Sequence, residues 1–317
     1  MSKGMQFSES GRLKHLLSIE GLSKTEILDI LDLAESYFDP GSHQIRQCSD
    51  LSGTTIANLF FEPSTRTRST FELAGRKLSA DILNLNVQQS ATSKGESLRD
   101  TVRNIEAMQC KILIIRHQQS GASHFVAQHV QPDVSVINAG DGWHAHPTQA
   151  LLDMYTIRKH RGDVNQLNVA IIGDVKHSRV ARSQIHALHL LGAREIRVIA
   201  PKTLLPTHTD SLGVNVYHDL KSGLKDIDVI MMLRLQKERM QSGLLPNGDA
   251  YYRMYGLTGE SLEYAHPNAL IVHPGPINRG VEIQSDIADS PRAAILDQVT
   301  NGVAIRMAVM SLLKGSH

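Results

Sequence analysis

The sequence predicts an α/β protein with two doubly wound parallel sheets joined by helices. Three observations carry this. Short apolar β-rich runs alternate with helical patterns along nearly the whole chain, which is the signature of strand–helix–strand crossovers. The run TTIANLFF (54–61) is short, β-rich and bounded like a buried strand. The length of 317 residues exceeds what one core usually organises, so two domains are expected.

The elements follow in order. SKTEILDILDLAESYFD (23–39) is a helix with a capping-box start at Ser23 and Glu26, and Ile27, Ile30, Leu31 and Ala34 recur at helical spacing. TTIANLFF (54–61) is a buried strand, and STRTRSTFELAGRKL opens the next helix. DILNLNV (81–87) is a strand. GESLRDTVRNIEAM (95–108) is a helix, with Ser93 and Glu96 as its expected cap. KILIIRH (111–117), a helix near 121–130 and VSVINAG (134–140) complete a first set.

HPTQALLDMYTIRKH (146–160) is a connecting helix. Strands are then expected at 168–174, 196–201, 214–219, 228–233 and 269–275, with a helix at 178–192 ended by Gly192. The last stretch is an apolar-sided helix. The expected division is residues 1–148 and 149–295, with helix 296–317 packing back on the first domain.

Composition narrows the function. Lys and Arg number 33 against 32 Asp and Glu, a net charge of +1. That balance lacks the basic face a nucleic acid or membrane surface demands, so neither is an expected partner. Two cysteines, Cys48 and Cys110, fit no zinc spacing and suit a reducing compartment. The N-terminal stretch has no long apolar core of a signal peptide, and no run spans a bilayer. A cytoplasmic location is expected.

The local chemistry is more pointed. In FFEPSTRTRSTFE (61–73) the chain leaves a strand, stops at Pro63 and enters a helix through Ser64, Thr65, Arg66 and Thr67. Ser64 is the expected cap. First-turn N–H groups, the helix dipole and hydroxyls make an anion site, and a guanidinium adds a two-pronged clamp. Arg66 and Arg68 lie about 200° apart around a helix, so Arg66 is assigned to the ligand and Arg68 to structure. A capped helix with surface arginines is the plainer reading.

HPTQ places His146 ahead of Pro147 at a helix start, where the imidazolium is disfavoured and a neutral ring can donate to a carbonyl oxygen; Gln149 is one turn on. Lys94 sits in a short loop, weak evidence by itself. Arg116 ends a strand, where a charge points into a ligand crevice. Gly173 lacks the further glycines of a dinucleotide turn, so no nucleotide cofactor is expected. Arg179 sits at a helix start where it can take a carboxylate, and Arg234 and Gln236 lie on one side if extended. Two arginines at strand ends of one sheet suit a dicarboxylate or amino acid, while each alone reads as a surface salt-bridge residue. HPGPINRG (273–280) is a rigid loop whose carbonyls can face a ligand amide.

Taken together, STRTR after a Phe–Phe strand, Lys94-Gly-Glu, an Arg-His strand end, HPTQALLD and HPxP resemble the aspartate/ornithine carbamoyltransferase family from about residue 12 to the C-terminal helix. RLQKER (234–239) resembles the aspartate branch. Gly275 stands inside HPGP where the ornithine branch carries its Cys-containing HCLP, and that branch's Ser-Met-Gly loop is not found.

The resemblance implies that Ser64, Thr65, Arg66 and Thr67 bind the phosphate of carbamoyl phosphate. Arg116 would bridge phosphate and carbonyl, and Thr67 and His146 would add donors to that carbonyl. Gln149, Gly275 and Pro276 would hold the carbamoyl amide, while Arg179, Arg234 and Gln236 would bind the carboxylates of L-aspartate. Ser90 and Lys94 would come from a neighbouring subunit, Lys94 reaching the aspartate as well, which makes a homotrimer with shared sites. Regulatory or dihydroorotase-like partner chains are compatible with it. It also implies that Glu62 pairs with Arg179 or Arg239 in a closed form. No cofactor or metal is called for. Ornithine or a related amine as acceptor, or a non-catalytic scaffold role, are the alternatives.

Overall fold

The computed structural model describes residues 3–85, 97–235 and 248–314. Helix α1 (Lys24–Ser36) starts from Ser23, whose hydroxyl accepts from the Glu26 N–H while Glu26 reaches back to the Ser23 N–H, the reciprocal box expected from the sequence. Strand β1 (Thr55–Phe60) leads into α2 (Thr65–Lys77), and β2 (Asp81–Leu85) follows. Then come α3 (Leu98–Ala107), β3 (Cys110–His117), α4 (Ala122–Ala127), β4 (Ser135–Asp141) and α5 (Pro147–Arg161).

The second set is β5 (Asn168–Ile172), α6 (Arg179–Leu191), β6 (Glu195–Ile199), β7 (Asn215–Tyr217), β8 (Val229–Met232), α7 (Gly248–Tyr255), β9 (Leu270–Val272) and α8 (Ile295–Lys314). A strand lies at each expected place; most are shorter than expected, while β3 starts one residue earlier, β4 runs one residue further and β6 starts one residue earlier.

The nine strands make two sheets in which every pairing is parallel: order β2-β1-β3-β4 and order β7-β6-β5-β8-β9. The fold class expected from the sequence therefore holds. The chain falls into two compact units, Met1–Leu152 with Thr300–His317, and Asp153–Val299.

In the first unit Ile56, Ala57, Leu59, Leu113, Ile114, Ile115, Val136 and Ile137 are solvent-free. In the second, Val169 through Ile172 and Val229 through Met232 are likewise buried. Each such aliphatic side chain removed from water stabilises the fold by roughly 1.5–3 kcal/mol. Parallel strands buried on both faces are mostly apolar, which is why these runs read so clearly in the sequence, with Asn58 and Asn138 as buried polar exceptions.

Two expected caps differ in the structure. The N-cap of α3 is Ser97, whose hydroxyl accepts from the Asp100 N–H at 3.2 Å; Ser93 and Glu96 lie outside the described residues. Ser64 does occupy the N-cap of α2, but in an extended conformation whose side chain makes no capping bond. The Ser64 hydroxyl therefore does not close the first turn of α2.

Candidate active site

In a doubly wound sheet, ligands bind beyond the carboxyl ends of the strands, where neighbouring crossovers run to opposite sides. In the first sheet the order reverses between β1 and β3. Ser64 to Thr67 follow β1 directly, and Arg116 lies in β3 opposite Phe60 of β1. His146 follows β4, the next strand over. The sequence separates these residues by up to 82 positions (146 − 64), and the topology brings them to one sheet edge.

Thr67 and His146 are buried, as is Gln149, while Arg66 and Thr65 reach solvent. The Arg66 guanidinium nonetheless sits where partial desolvation lowers its pKa from the ordinary arginine value. An anion there would relieve that cost. Arg116 is anchored from two sides: one terminal nitrogen donates to the Ala139 carbonyl at 3.1 Å and the other to Glu62 Oε1 at 3.4 Å. Within the first unit, Glu62 is thus paired with Arg116; Arg239 lies outside the described residues.

His146 forms the N-cap of α5, with Pro147 at the first helical position as expected. Its carbonyl accepts from the N–H groups of Gln149 at 3.1 Å and Ala150 at 3.2 Å. The ring thereby sits at the positive end of a 15-residue helix. The turn before it is built by Asp141, whose side chain accepts from Asn138 Nδ2, Gly121 N and Ala145 N. Gly142 adopts φ +46, and a Cβ there would collide with the Ser120 backbone N and hydroxyl. Only glycine fits that crossing.

The second sheet reverses between β5 and β8. Arg179 opens α6 after β5, and Arg234 follows β8 by two residues. Two cations thus flank one switch point. Arg179 is buried, and the loop before it is tied down: Asp174 accepts from the His177 N–H at 3.1 Å and meets His177 Nδ1 at 2.9 Å, while Ser178 caps α6 by accepting from Ala181 N.

Gly275 and Pro276 follow β9, the neighbour of β8. Gly275 has φ +61, and its peptide bond to Pro276 is cis. Its N–H donates to His273 Nδ1 at 2.7 Å, which assigns the ring proton to Nε2; that atom faces Glu282 Oε1 at 3.1 Å. The His273 N–H in turn donates to Gln298, and Gln298 and Gln184 both donate to Asp153. This buried chain fixes the loop from behind. Sequence reading missed it, because no local motif links residues 153, 184, 273, 282 and 298.

Ser90, Lys94 and Gln236 lie outside the described residues. The other expected site residues stand at the carboxyl edges of the two sheets, Arg116 near the end of β3 and the rest following β1, β4, β5, β8 and β9.

Two doubly wound α/β units, the first with hydroxyl and guanidinium side chains after its switch-point strands and the second with two arginines there, have the architecture of a small-molecule enzyme. Comparison with known proteins makes this specific. The model for the aspartate/ornithine carbamoyltransferase carbamoyl-P binding domain matches residues 14–159, and that for the Asp/Orn binding domain matches residues 165–313. The chain belongs to the aspartate/ornithine carbamoyltransferase family and is a carbamoyltransferase.

Among solved structures, it is similar to aspartate transcarbamoylase from Trypanosoma cruzi in complex with N-(phosphonacetyl)-L-aspartic acid. That match has 30% identity over 97% of this chain and 98% of that one, with a TM-score of 0.84. The same enzyme in complex with carbamoyl aspartate and phosphate matches at 29% identity, 97% and 98% coverage and a TM-score of 0.86. Ornithine carbamoyltransferase from Thermus thermophilus matches at 27% identity, 95% and 98% coverage and a TM-score of 0.83.

Proposed function

We propose that the chain transfers the carbamoyl group of carbamoyl phosphate to the amine of L-aspartate, giving N-carbamoyl-L-aspartate and phosphate, as a step of pyrimidine biosynthesis in the cytoplasm. The observation that carries the choice of acceptor is the pair Arg179 and Arg234 at the switch point of the second sheet. Two guanidiniums match two carboxylates; ornithine brings one carboxylate and a second cation. The similarity to aspartate transcarbamoylase over nearly the full chain supports the same reading.

The division of labour follows the two units, with residues 1–148 binding carbamoyl phosphate and 149–295 binding aspartate, and helix 296–317 belonging with the first. Ser64, Thr65, Arg66 and Thr67 hold the phosphate against the open first turn of α2. The amine attacks the carbonyl carbon, a tetrahedral oxyanion forms, and phosphate leaves. Carbamoyl phosphate is already activated, so no enzyme nucleophile is needed. Arg116, Thr67 and His146 stabilise the charge that grows on the carbonyl oxygen, the kind of preorganised donor set that dominates such reactions.

Gln149 with the backbone of Gly275 and Pro276 holds the carbamoyl NH2. The amine proton passes to the departing phosphate, which makes a side-chain base unnecessary. Gln236 completes the carboxylate contacts. Ser90 and Lys94 are supplied by an adjacent copy in a homotrimer, which leaves open faces for regulatory or dihydroorotase-like chains.

Steady-state kinetics of Arg234→Ala test the acceptor assignment. The KM for aspartate should rise by at least about tenfold, with the KM for carbamoyl phosphate little changed. An unchanged aspartate KM contradicts it. For shared sites, inactive Lys94→Ala and Arg116→Ala chains should recover activity when dissociated and reassembled together; no recovery refutes sharing.

A further inference from the structure

Asp141, His124 and His144 offer one ligand atom each, all within 4.8 Å of one another. We propose that these three side chains form a binding site for a divalent transition-metal ion of the zinc type, separate from the transfer chemistry. Two imidazoles and a carboxylate are a donor set that suits Zn2+, Co2+ or Ni2+ and disfavours Mg2+ and Ca2+, which want oxygens.

The geometry is half-assembled. His144 Nδ1 lies 3.2 Å from both carboxylate oxygens of Asp141, so its contact is split between them and long for either. A tetrahedral ion with bonds of about 2.0–2.1 Å holds its ligands roughly 3.3 Å apart, so these two groups already stand at ligand spacing. The His124 ring stands edge-on to the His144 ring with centroids 5.2 Å apart, and a swing of about 1–1.5 Å closes the third side. His124 Nδ1 is shielded from solvent and makes no hydrogen bond to the protein, an orphaned nitrogen in the cluster itself.

The surroundings are those of a metal site rather than of three chance neighbours. Asp141 is fully buried and held by Asn138 Nδ2 at 2.9 Å, Gly121 N at 2.8 Å and Ala145 N at 3.1 Å, so its carboxylate is fixed in direction. Glu20 approaches the far nitrogen of His144, Oε2 to Nε2 at 4.0 Å, as an outer carboxylate does behind a ligating imidazole. The site lies on the turn leading to His146, so an ion there would stiffen the segment that presents that ring.

Trp143, the one tryptophan of the chain, precedes His144 and is half exposed, which makes it a built-in reporter. The chelator-treated full chain is titrated with Co2+ and with Zn2+, following visible absorption for Co2+, Trp143 fluorescence, metal per chain after gel filtration, and thermal unfolding. One equivalent per chain is expected, with a cobalt spectrum of low-coordinate type and a rise in Tm of about 3 °C or more.

His124→Ala, His124→Gln and His144→Ala should each weaken binding by about tenfold or more and abolish the Tm rise. His129→Ala, one turn away, should bind as the unaltered chain does. Unfolding curves without metal identify any variant that fails to fold, and the His124→Gln and His144→Ala results then decide. Absence of saturable one-equivalent binding overturns the proposal, as does binding that survives loss of both histidines or is lost equally in His129→Ala.

Discussion

Glu62 Oε1 accepts a hydrogen bond from Arg116 Nη2 at 3.4 Å, while the other terminal nitrogen of Arg116 is held by the Ala139 carbonyl. Both partners of the ion pair are largely removed from solvent, with side-chain exposures of 11% for Arg116 and 22% for Glu62. A guanidinium held at two points loses little freedom on meeting an anion, so under the proposed function Glu62 is the orienting group of Arg116. Glu62→Gln keeps the shape and weakens the bond. We expect kcat/KM to fall by about tenfold with the melting temperature nearly unchanged, as one charge-assisted hydrogen bond is worth roughly 1.5–3 kcal/mol. Unaltered kinetics would remove Glu62 from the account.

Arg66 stands in the first turn of α2, whose N-cap Ser64 makes no side-chain capping bond. Arg66→Ala should cut turnover by at least about a hundredfold, the scale of losing one donor to transition-state charge. Arg68→Ala, on the far side of the helix and exposed, should leave turnover within about twofold. Equal effects at the two positions would show a general loss of positive charge instead of a directed contact.

Gly142 crosses the Ser120 backbone at a positive φ. Gly142→Ala must strain the backbone and push the two loops apart together, so we expect a loss of about 1–3 kcal/mol in denaturant unfolding. Because the same turn delivers His146, kcat should fall as well. A variant as stable as the parent would mean that the loops separate freely.

Burial pulls the pKa of His117 below its ordinary 6.5, and the nearby charges of Asp141 and Glu62 pull it partway back. The unfolded chain then takes up a proton there before the folded chain does. This contribution to stability is complete above about pH 6.5, and it is lost as pH falls through that value toward the lowered folded pKa. Thermal unfolding between pH 5 and 8 should therefore show a decline on the acid side, and His117→Gln should flatten it. An identical decline in the variant would assign it to other groups.

Much of this was legible in the sequence for a physical reason. Strands such as Val169–Ile172 are buried on both faces, and that demands an unbroken apolar run. The anion site was legible because Ser64 to Thr67 are contiguous and sit at a helix start. Short helices such as Gly248–Tyr255 were missed, since two turns give too little periodicity.

The cap of α3 was misplaced because Ser93 and Ser97 both offer a hydroxyl with an acid three residues on, and sequence alone does not rank them. The chains of hydrogen bonds through Asp141 and through Asp153, Gln298 and His273 were illegible. Their members come from separate elements and meet only when the sheets form.

The central claim is that donors at the first switch point hold an acyl phosphate while Arg179 and Arg234 select a dicarboxylic amine. Its most direct measurement is product formation from carbon-labelled carbamoyl phosphate offered to L-aspartate and L-ornithine in parallel. Labelled N-carbamoyl-L-aspartate, formed much faster than any citrulline and lost in Arg234→Ala, is the predicted result. Citrulline as the main product, or transfer to aspartate undiminished without Arg234, would contradict it.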